Sequence, residues 1–283
     1  MIYSHDSDVS DVVNNDLTRF DRWAKTWLNP TKAKHMTITR ATPVTDMTVT
    51  MNGTDIDTVT EHKHLGVVLN SNGTWNDHID YIIGKASKRL GVLRSLKYKL
   101  DRDSLRTIYI THIRSLIDYC DIVWSNCSQE LSEKLNKVQY EAARIITGLP
   151  RFCRINSLLS ESSLISLESR RTDHKLISFY KILRGQTPDY LTSLMPQTRL
   201  ETTTRFLRSM DNITSATGRL STYSNSFSPT SINLWNSLPR TIRSLPTISS
   251  FKTHILSSHY LIYLKITTEL QSYILASYIP VVH

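Results

Sequence analysis

The chain has 283 residues, of which 40% are hydrophobic, so a wholly disordered protein is excluded and one large domain or two smaller ones are allowed. The formal net charge of +9 favours a polyanionic partner, of which nucleic acid is the commonest, although a solvated basic surface without a partner is the alternative. Three widely spaced cysteines, Cys120, Cys127 and Cys153, indicate buried thiols rather than a disulfide framework, and therefore an intracellular location in the cytoplasm, the nucleus or both.

The N-terminal part predicts one helix followed by short strands. The helix runs from about Val9 to Trp27, with an apolar stripe at Val13, Leu17, Phe20, Ala24 and Trp27. Acidic side chains at its start, Asp6, Asp8 and Asp11, are explained by helix capping better than by metal binding. The strand candidates and their turn are Met36–Arg40, Met47–Met51, the hairpin turn Asn52-Gly53, Ile56–Thr60 and the buried run Leu65–Leu69.

The chain after Trp75 has helical periodicity. The first helix predicted there has an apolar stripe at Ile79, Ile82, Ile83, Ala86, Leu90 and Leu93. A second is predicted over Asp103–Asp118 with Asp101 or Asp103 near its cap. Two more are predicted over Gln129–Ile146, closed by Gly148 and Pro150, and over Leu164–Leu183, closed by Gly185 and Pro188. Residues 197–230 are rich in Ser, Thr and Asn and predict an irregular segment. The apolar tail Tyr260–His283 is interrupted by charged and polar residues, so no membrane span is expected.

The stretch from Lys85 to Arg106 holds eight Lys or Arg residues against two Asp, with Tyr98 and Tyr109 in or beside it. Cations at helical spacing can follow a phosphate backbone, and a base can stack on tyrosine. An ordinary solvated helix face is the alternative. The candidate contacts are Lys85, Lys88, Arg89, Arg94, Lys97, Lys99, Arg102 and Arg106.

Other classes of site find little support. The sequence has no Gly-x-Ser-x-Gly elbow, Walker loop or dinucleotide-binding glycine run, so hydrolase, kinase and dehydrogenase chemistry and a small-molecule substrate are not expected. Metal binding at His62 and His64 is the minor interpretation, and structural roles are favoured for His112 and His174. The five tryptophans, Trp23, Trp27, Trp75, Trp124 and Trp235, are expected in the core.

Eight blocks in a fixed order carry a resemblance that covers about residues 1–256. They are residues 16–34, His64–Leu69, Trp75–Ile79, Ile117–Trp124, Val138–Arg144, Leu167–Arg171, Phe179–Gly185 and Leu234–Pro239. Together they resemble reverse transcriptases of non-LTR retrotransposons of the Jockey, CR1 or RTE type, from the end of the palm through the thumb and post-thumb region.

The resemblance implies an RNA or DNA template–primer as the partner. It places Lys32 and Lys34 in a loop near the nucleotide phosphates, although that loop is shorter here, and it places Leu65 and Gly66 in a primer-grip strand. The catalytic Asp-Asp turn of the family would precede Met1, so no catalytic or metal-binding residue and no cofactor is expected in this chain, and Mg²⁺ is expected only in the complete enzyme. The chain would then bind nucleic acid without extending a primer. An element-derived helical interaction module, or a remnant without function, is the alternative.

The predicted fold class is α+β, predominantly α-helical. We expect a palm-derived segment at 1–74 with a small β-sheet, a helical thumb and post-thumb region at 75–196, an irregular stretch with short helices at 197–256, and an unassigned tail at 257–283. The sequence leaves the oligomeric state open.

Overall fold

The computed structural model describes residues 9–24, 32–39, 48–51, 53–193, 195, 212–214 and 221–257. The chain divides into two compact units, residues 1–81 and residues 82–283. Helix predominates at 63%, beside two small two-stranded sheets, which confirms the predicted α+β, predominantly α-helical class. The division into four segments remains a prediction.

The first unit contains helix α1 (Val9–Ala24) against a hairpin of β1 (Thr50–Met51) and β2 (Thr54–Asp55). Its small core consists of Val13, Val49, Met51 and Ile56, with Leu17 and Ala33 packed beside it. Phe20, predicted on the same apolar stripe, is 38% exposed. Strands of two residues offer little surface to cover a helix of four turns, and of the described stripe residues Val13 is buried and Leu17 partly buried.

The first hairpin confirms one predicted turn and corrects two predicted strands. Met51 pairs with Thr54, so the chain reverses at 52–53 as expected, and Gly53 has a φ of 67°. The returning strand lies at Thr54–Asp55 instead of Ile56–Thr60, because this short turn starts the pairing at once. Residues 36–39 form no strand, and the neighbouring His35 makes only an isolated parallel bridge to Thr58.

A second hairpin joins β3 (Glu61–His64) to β4 (Val67–Asn70). His64 pairs with Val67, which leaves Leu65 and Gly66 as the two turn residues, with φ values of 46° and 86°. Two successive positive φ angles are the signature of a type I′ turn. The predicted strand Leu65–Leu69 is therefore wrong at its start. Only Val67 and Val68 are buried, whereas Leu65 is 77% exposed.

Helix α2 (Asn76–Leu96) begins against this hairpin, where His78 Nδ1 accepts a hydrogen bond of 3.2 Å from the backbone N–H of Val68. The predicted apolar stripe of α2 is confirmed at Ile79, Ile82, Ala86, Leu90 and Leu93, which are buried, whereas Ile83 is half-buried. The remaining helices of the chain's middle are α3 (Arg102–Ile108), a π-helical segment (Tyr109–Arg114), α4 (Ser115–Asp118), α5 (Asp121–Trp124), α6 (Gln129–Thr147), α7 (Ile155–Glu161), α8 (Leu167–Leu183) and α9 (Asp189–Ser193).

Helix ends in the second unit follow the local chemistry of the sequence. Asp101 accepts a 2.9 Å hydrogen bond from the backbone N–H of Ser104, which confirms the predicted cap of α3. Gly148 ends α6 with a φ of 78°, as expected for a glycine after a helix. Helix α8 begins three residues later than predicted, because the Ser166 hydroxyl accepts from the N–H of Ser169 and so acts as its cap.

Four C-terminal helices follow, and two of them pack on the second half of α8. They are α10 (Ser221–Ser224), α11 (Phe227–Ser237), α12 (Arg240–Arg243) and α13 (residues 248–257). Phe179 and Tyr180 of α8 meet Trp235 of α11 and Phe251 of α13, and the Tyr180 and Phe251 rings stack at 4.4 Å. These aromatic contacts form a hydrophobic core distinct from the one around α1.

Several predicted features lie outside the described residues. They are the end of the first predicted helix with Trp27, the strand ends Arg40 and Met47, most of the Ser- and Thr-rich stretch between 197 and 230, and the tail from residue 258 onward. Among the residues that are described, no helix combines the length and the apolar character needed to cross a bilayer.

Candidate nucleic-acid interface

The three basic residues in the middle of α2 share one side of the helix. At about 100° per residue, Lys85, Lys88 and Arg89 fall within an arc of about 100°, beside the buried stripe rather than on it. All three side chains are exposed. Arg94 lies on the other flank of the helix, so the predicted basic stretch does not form one continuous row along α2.

Each arginine of the stretch contacts an acceptor within the protein. The Arg89 guanidinium donates to the backbone carbonyl of His112 in the π-helical segment. Arg102 contacts Glu161 at 2.8 Å and the backbone carbonyl of Thr147 at 3.1 Å, which joins α3 to the ends of α6 and α7. Arg94 lies 3.6 Å from Glu141, and Arg106 lies 3.1 Å from Asp103. These four guanidinium groups are therefore partly committed to the fold.

Three of the four lysines of the stretch have exposed side chains. Lys85, Lys88 and Lys99 are exposed, and Lys97 is half-buried with its Nζ 5.3 Å from the centroid of the Tyr98 ring. Tyr98 is 90% exposed, so its ring can be reached by a ligand. Tyr109 cannot serve as the second stacking residue, because it is fully buried and its hydroxyl donates a 2.8 Å hydrogen bond to Gln139.

The candidate residues of the first unit are Lys32, Lys34, Leu65 and Gly66, and the structure corrects the predicted conformation of the last two. The ammonium of Lys34 lies 2.6 Å from Asp57, and the hydrogen bond from Lys34 lowers the pKa of that carboxyl group. Lys32 is exposed. Leu65 and Gly66 form the tip of a hairpin rather than a strand, because both residues adopt positive φ angles.

A polar cluster that sequence reasoning missed joins α4 and α5 to α8. Arg170 donates to both carboxylate oxygens of Asp118, with Nε 3.2 Å from Oδ1 and a terminal nitrogen 2.7 Å from Oδ2. Arg114 lies 3.5 Å from the same carboxylate. One turn away, Asp121 Oδ2 lies 2.6 Å from Nδ1 of His174, and Asp121 is only 3% exposed.

The pKa shifts of this cluster follow from burial and from contacts within the fold. The hydrogen bond with Asp121 raises the pKa of His174, while burial acts in the opposite direction. Burial, and then the neighbouring Arg170, lowers the pKa of Arg114. Arg171 follows Arg170 on α8, bonds to the Ser132 hydroxyl at 2.7 Å, and lies 6.0 Å from the centroid of the buried Trp124 ring.

Asp118, Asp121 and His174 place three potential metal-ligand atoms within 4.8 Å of one another. Magnesium prefers several oxygen ligands and retains water molecules, whereas this set includes an imidazole and its carboxylates already bond to Arg170 and His174. The cluster therefore does not fit the magnesium ions that the resemblance implies for the complete enzyme.

Of the acidic residues near the start of α1, Asp11 lies in the first helical turn, whereas Asp6 and Asp8 lie outside the described residues.

Blocks that carry the resemblance contact one another in the fold. The block Ile117–Trp124 meets Leu167–Arg171 through the Asp118–Arg170 pair. In the block Val138–Arg144, Gln139 accepts from Tyr109 and donates to the carbonyl of Ile165 at 3.0 Å. The two C-terminal blocks meet where Trp235 lies 5.8 Å from Phe179. These motif residues therefore hold helices together.

The histidines, tryptophans and cysteines have structural settings within the described residues. His62 and His64 lie on one strand with their ring centroids 6.3 Å apart, and His112 is exposed. Trp124 and Trp235 are buried as expected, and Trp75 is half-buried. All three cysteines are half-buried rather than fully buried, because Cys120 and Cys153 lie in turns and Cys127 lies between helices.

Comparisons with known proteins agree with the resemblance. The chain is 24% identical over 166 residues to the probable RNA-directed DNA polymerase from transposon BS of Drosophila melanogaster, which covers 56% of this chain and 18% of that protein. It is 26% identical over 158 residues to the RNA-directed DNA polymerase from mobile element jockey of Drosophila funebris, which covers 53% of this chain and 17% of that protein. It is 25% identical over 176 residues to the probable RNA-directed DNA polymerase from transposon X-element of Drosophila melanogaster. That alignment covers 59% of this chain and 19% of that protein.

The matched segments span less than a fifth of the length of these relatives. No protein-family model matches the chain, and no solved structure matches it significantly. Over about half its length, the chain is thus distantly similar to RNA-directed DNA polymerases of non-LTR retrotransposons.

Proposed function

We propose that this chain binds nucleic acid through the lysines of α2 and of the turn that follows it, without reading base sequence, as the helical part of a retrotransposon reverse transcriptase. The observation that supports this proposal is the exposure of Lys85, Lys88 and Lys99 on a chain of net charge +9. A flexible ammonium group can follow phosphates of varied geometry, and it carries no base-reading pattern.

The contacts of the arginines support the assignment of phosphate binding to the lysines. Arg89, Arg94 and Arg102 each contact an acceptor on another helix, so they position α2 and α3 within the unit. The lysines between them then project from a stable surface. Pre-positioned cations lose less conformational freedom when a phosphate backbone binds.

The test measures binding of a labelled 20-nucleotide RNA to the full chain by fluorescence anisotropy at 50 and 200 mM salt. Affinity should fall steeply with salt, because each neutralised phosphate releases counterions. Replacing Lys85 and Lys88 together by alanine should lower the slope of log K against log salt by about 1 for each lysine.

The matched control replaces two other exposed lysines, Lys137 and Lys252, by alanine. It removes the same charge, so equal losses in the two double variants would mean that net charge alone attracts the RNA and would overturn the assigned surface. Absence of binding at 50 mM salt would favour the helical interaction module instead.

Primer extension on an RNA template with Mg²⁺ tests the expected lack of polymerase activity separately. We expect binding of the template–primer without extension. Extension by the purified chain, lost when Mg²⁺ is chelated, would contradict that expectation while leaving the binding proposal intact.

A further inference from the structure

Two aromatic rings stand out by their exposure. Tyr98 and Phe152 are each 90% exposed, more than any other large hydrophobic side chain among the described residues. Tyr98 lies between Lys97 and Lys99, and Phe152 lies between Arg151 and Arg154 with only Cys153 intervening. A phenylalanine ring that is almost entirely in water gains no free energy from burial in the fold. Such exposure next to cations therefore indicates a ligand-binding surface.

The two loops that carry these rings adjoin residues that contact each other, Arg102 and Thr147. Loop 97–101 ends at Arg102, the first residue of α3, whose guanidinium reaches the carbonyl of Thr147 at 3.1 Å. Thr147 is the last residue of α6, where the second loop, 148–154, begins. Arg102 also contacts Glu161 at the end of α7, which follows that second loop. Arg102 therefore ties together the helices that flank both loops.

The charge of this region is positive, because its Lys and Arg residues outnumber its acidic residues. Glu161 is paired with Arg102, Asp103 with Arg106, and the Asp101 carboxylate accepts hydrogen bonds from Ser104. Lys97, Lys99, Arg151 and Arg154 form no ion pair with any acidic side chain that the structure describes. The four unpaired cations that flank Tyr98 and Phe152 in the sequence thus outnumber the one unpaired carboxylate, that of Asp101.

We propose that Tyr98 and Phe152 stack on the bases of single-stranded nucleic acid, while Lys97, Lys99, Arg151 and Arg154 contact its phosphates. The inference rests on the proposed function and specifies its ligand. Exposed rings interleaved with cations match an unpaired strand, which presents both free base faces and a phosphate backbone. A duplex offers its phosphates but keeps its base faces stacked inside the helix.

The experiment compares three 12-nucleotide probes with the full chain by fluorescence anisotropy: a single strand, the same length with abasic sites, and a duplex. The variants are Tyr98→Ala, Phe152→Ala and the double variant, with Tyr98→Phe as the conservative change. Tyr190→Ala is the matched control, because Tyr190 is also exposed, at 65%, but belongs to α9. Circular dichroism checks that each variant keeps its helical content.

Each alanine variant should weaken binding of the single strand about tenfold, whereas Tyr98→Phe and Tyr190→Ala should leave it unchanged. The same substitutions should not alter binding of the abasic strand, which has no bases to stack. If the wild-type chain binds all three probes and the alanine variants bind the single strand equally well, the stacking inference is overturned while the phosphate-binding proposal stands. If the wild-type chain binds none of the probes, both proposals fail.

Discussion

A guanidinium group holds its N–H donors in a rigid plane, whereas an ammonium group is a point charge on a flexible stem. That difference separates the basic residues between 85 and 106. Arg89 and Arg102 reach backbone carbonyls at the π-helical segment and at the end of α6, where carbonyl groups lack regular helical partners. Lys85, Lys88 and Lys99 have exposed side chains, so their charges are accessible to a phosphate.

The predicted strand conformation of Leu65 is wrong, whereas its contact with nucleic acid stays a prediction. Its position before a glycine resembles a primer-grip strand, but its φ of 46° places it in the left-handed region, which costs a branched-chain residue about 1–2 kcal/mol. We expect Leu65→Asn to raise the free energy of unfolding of the first unit by about 1 kcal/mol, because asparagine tolerates this conformation. Urea denaturation measures the change.

The same variant tests whether Leu65 contacts nucleic acid. If the resemblance is right about its role, affinity for a template–primer should fall although stability rises. A variant that is less stable than the wild type would contradict the conformational argument, and the conservative Leu65→Met variant, which keeps the strain, serves as the control.

Among the helices, α8 makes the most varied contacts. Its first half offers Arg170, Arg171 and His174 to the ends of α4 and α5, and its second half offers Phe179 and Tyr180 to the C-terminal aromatic core. Polar and aromatic contacts thus follow one another along a single helix. Polar contacts fix its direction and register, because hydrogen bonds are directional, whereas hydrophobic packing alone is not.

The Asp118–Arg170 pair provides a test at this scale. Its two side chains are only 21% and 16% exposed, so removing one partner leaves a partly buried charge without its bidentate neighbour. We expect Arg170→Met to destabilise the helical unit by about 1.5–3 kcal/mol, the range for hydrogen bonds to charged groups. A double-mutant cycle with Asp118→Asn should give a coupling energy of at least about 1 kcal/mol by chemical denaturation.

The control for this cycle is the Arg102–Glu161 pair, whose side chains are 61% and 52% exposed. Exposed pairs usually contribute about 0–1 kcal/mol because water screens them. A coupling energy for Asp118–Arg170 no larger than that of the exposed pair would show that the polar cluster is incidental to stability.

For the chain as a whole, two histidines predict opposite responses to pH. Burial lowers the pKa of His78 in the first unit, so its contribution to stability is present above about 6.5 and is lost as the pH falls. The bond with Asp121 raises the pKa of His174 in the second unit, so its contribution is fully present below about 6.5 and is lost as the pH rises through the folded value.

Between pH 5 and pH 8, the first unit should therefore become more stable and the second unit less stable. Hydrogen exchange of peptides from β3–β4 and from α8, corrected for the intrinsic effect of pH, measures the two units separately. His174→Gln should remove the dependence in α8 and leave that of β3–β4 unchanged. A common direction of change in both units would contradict the assignment.

Periodicity predicted the helices well because α2 and α6 bury one regular stripe each, and the stripe is visible in the order of the residues. Short strands were predicted less accurately. Two-residue strands such as β1 and β2 contain too few residues for an alternating pattern to define their ends, so only the pairing of Met51 with Thr54 showed their register. The basic stretch was located from composition, but the internal partners of its arginines were not.

By itself, the sequence determined the predominantly helical class, the caps at Asp101 and Gly148, and the order of motif blocks that resembles retrotransposon reverse transcriptases. These features depend on neighbouring residues or on residue order, both of which can be read along the chain. Only the tertiary structure decided which cations face solvent, that Asp118 and Asp121 meet α8, and that Arg102 ties together the helices beside Tyr98 and Phe152. Those partners lie tens of residues apart, and the packing of helices brings them together.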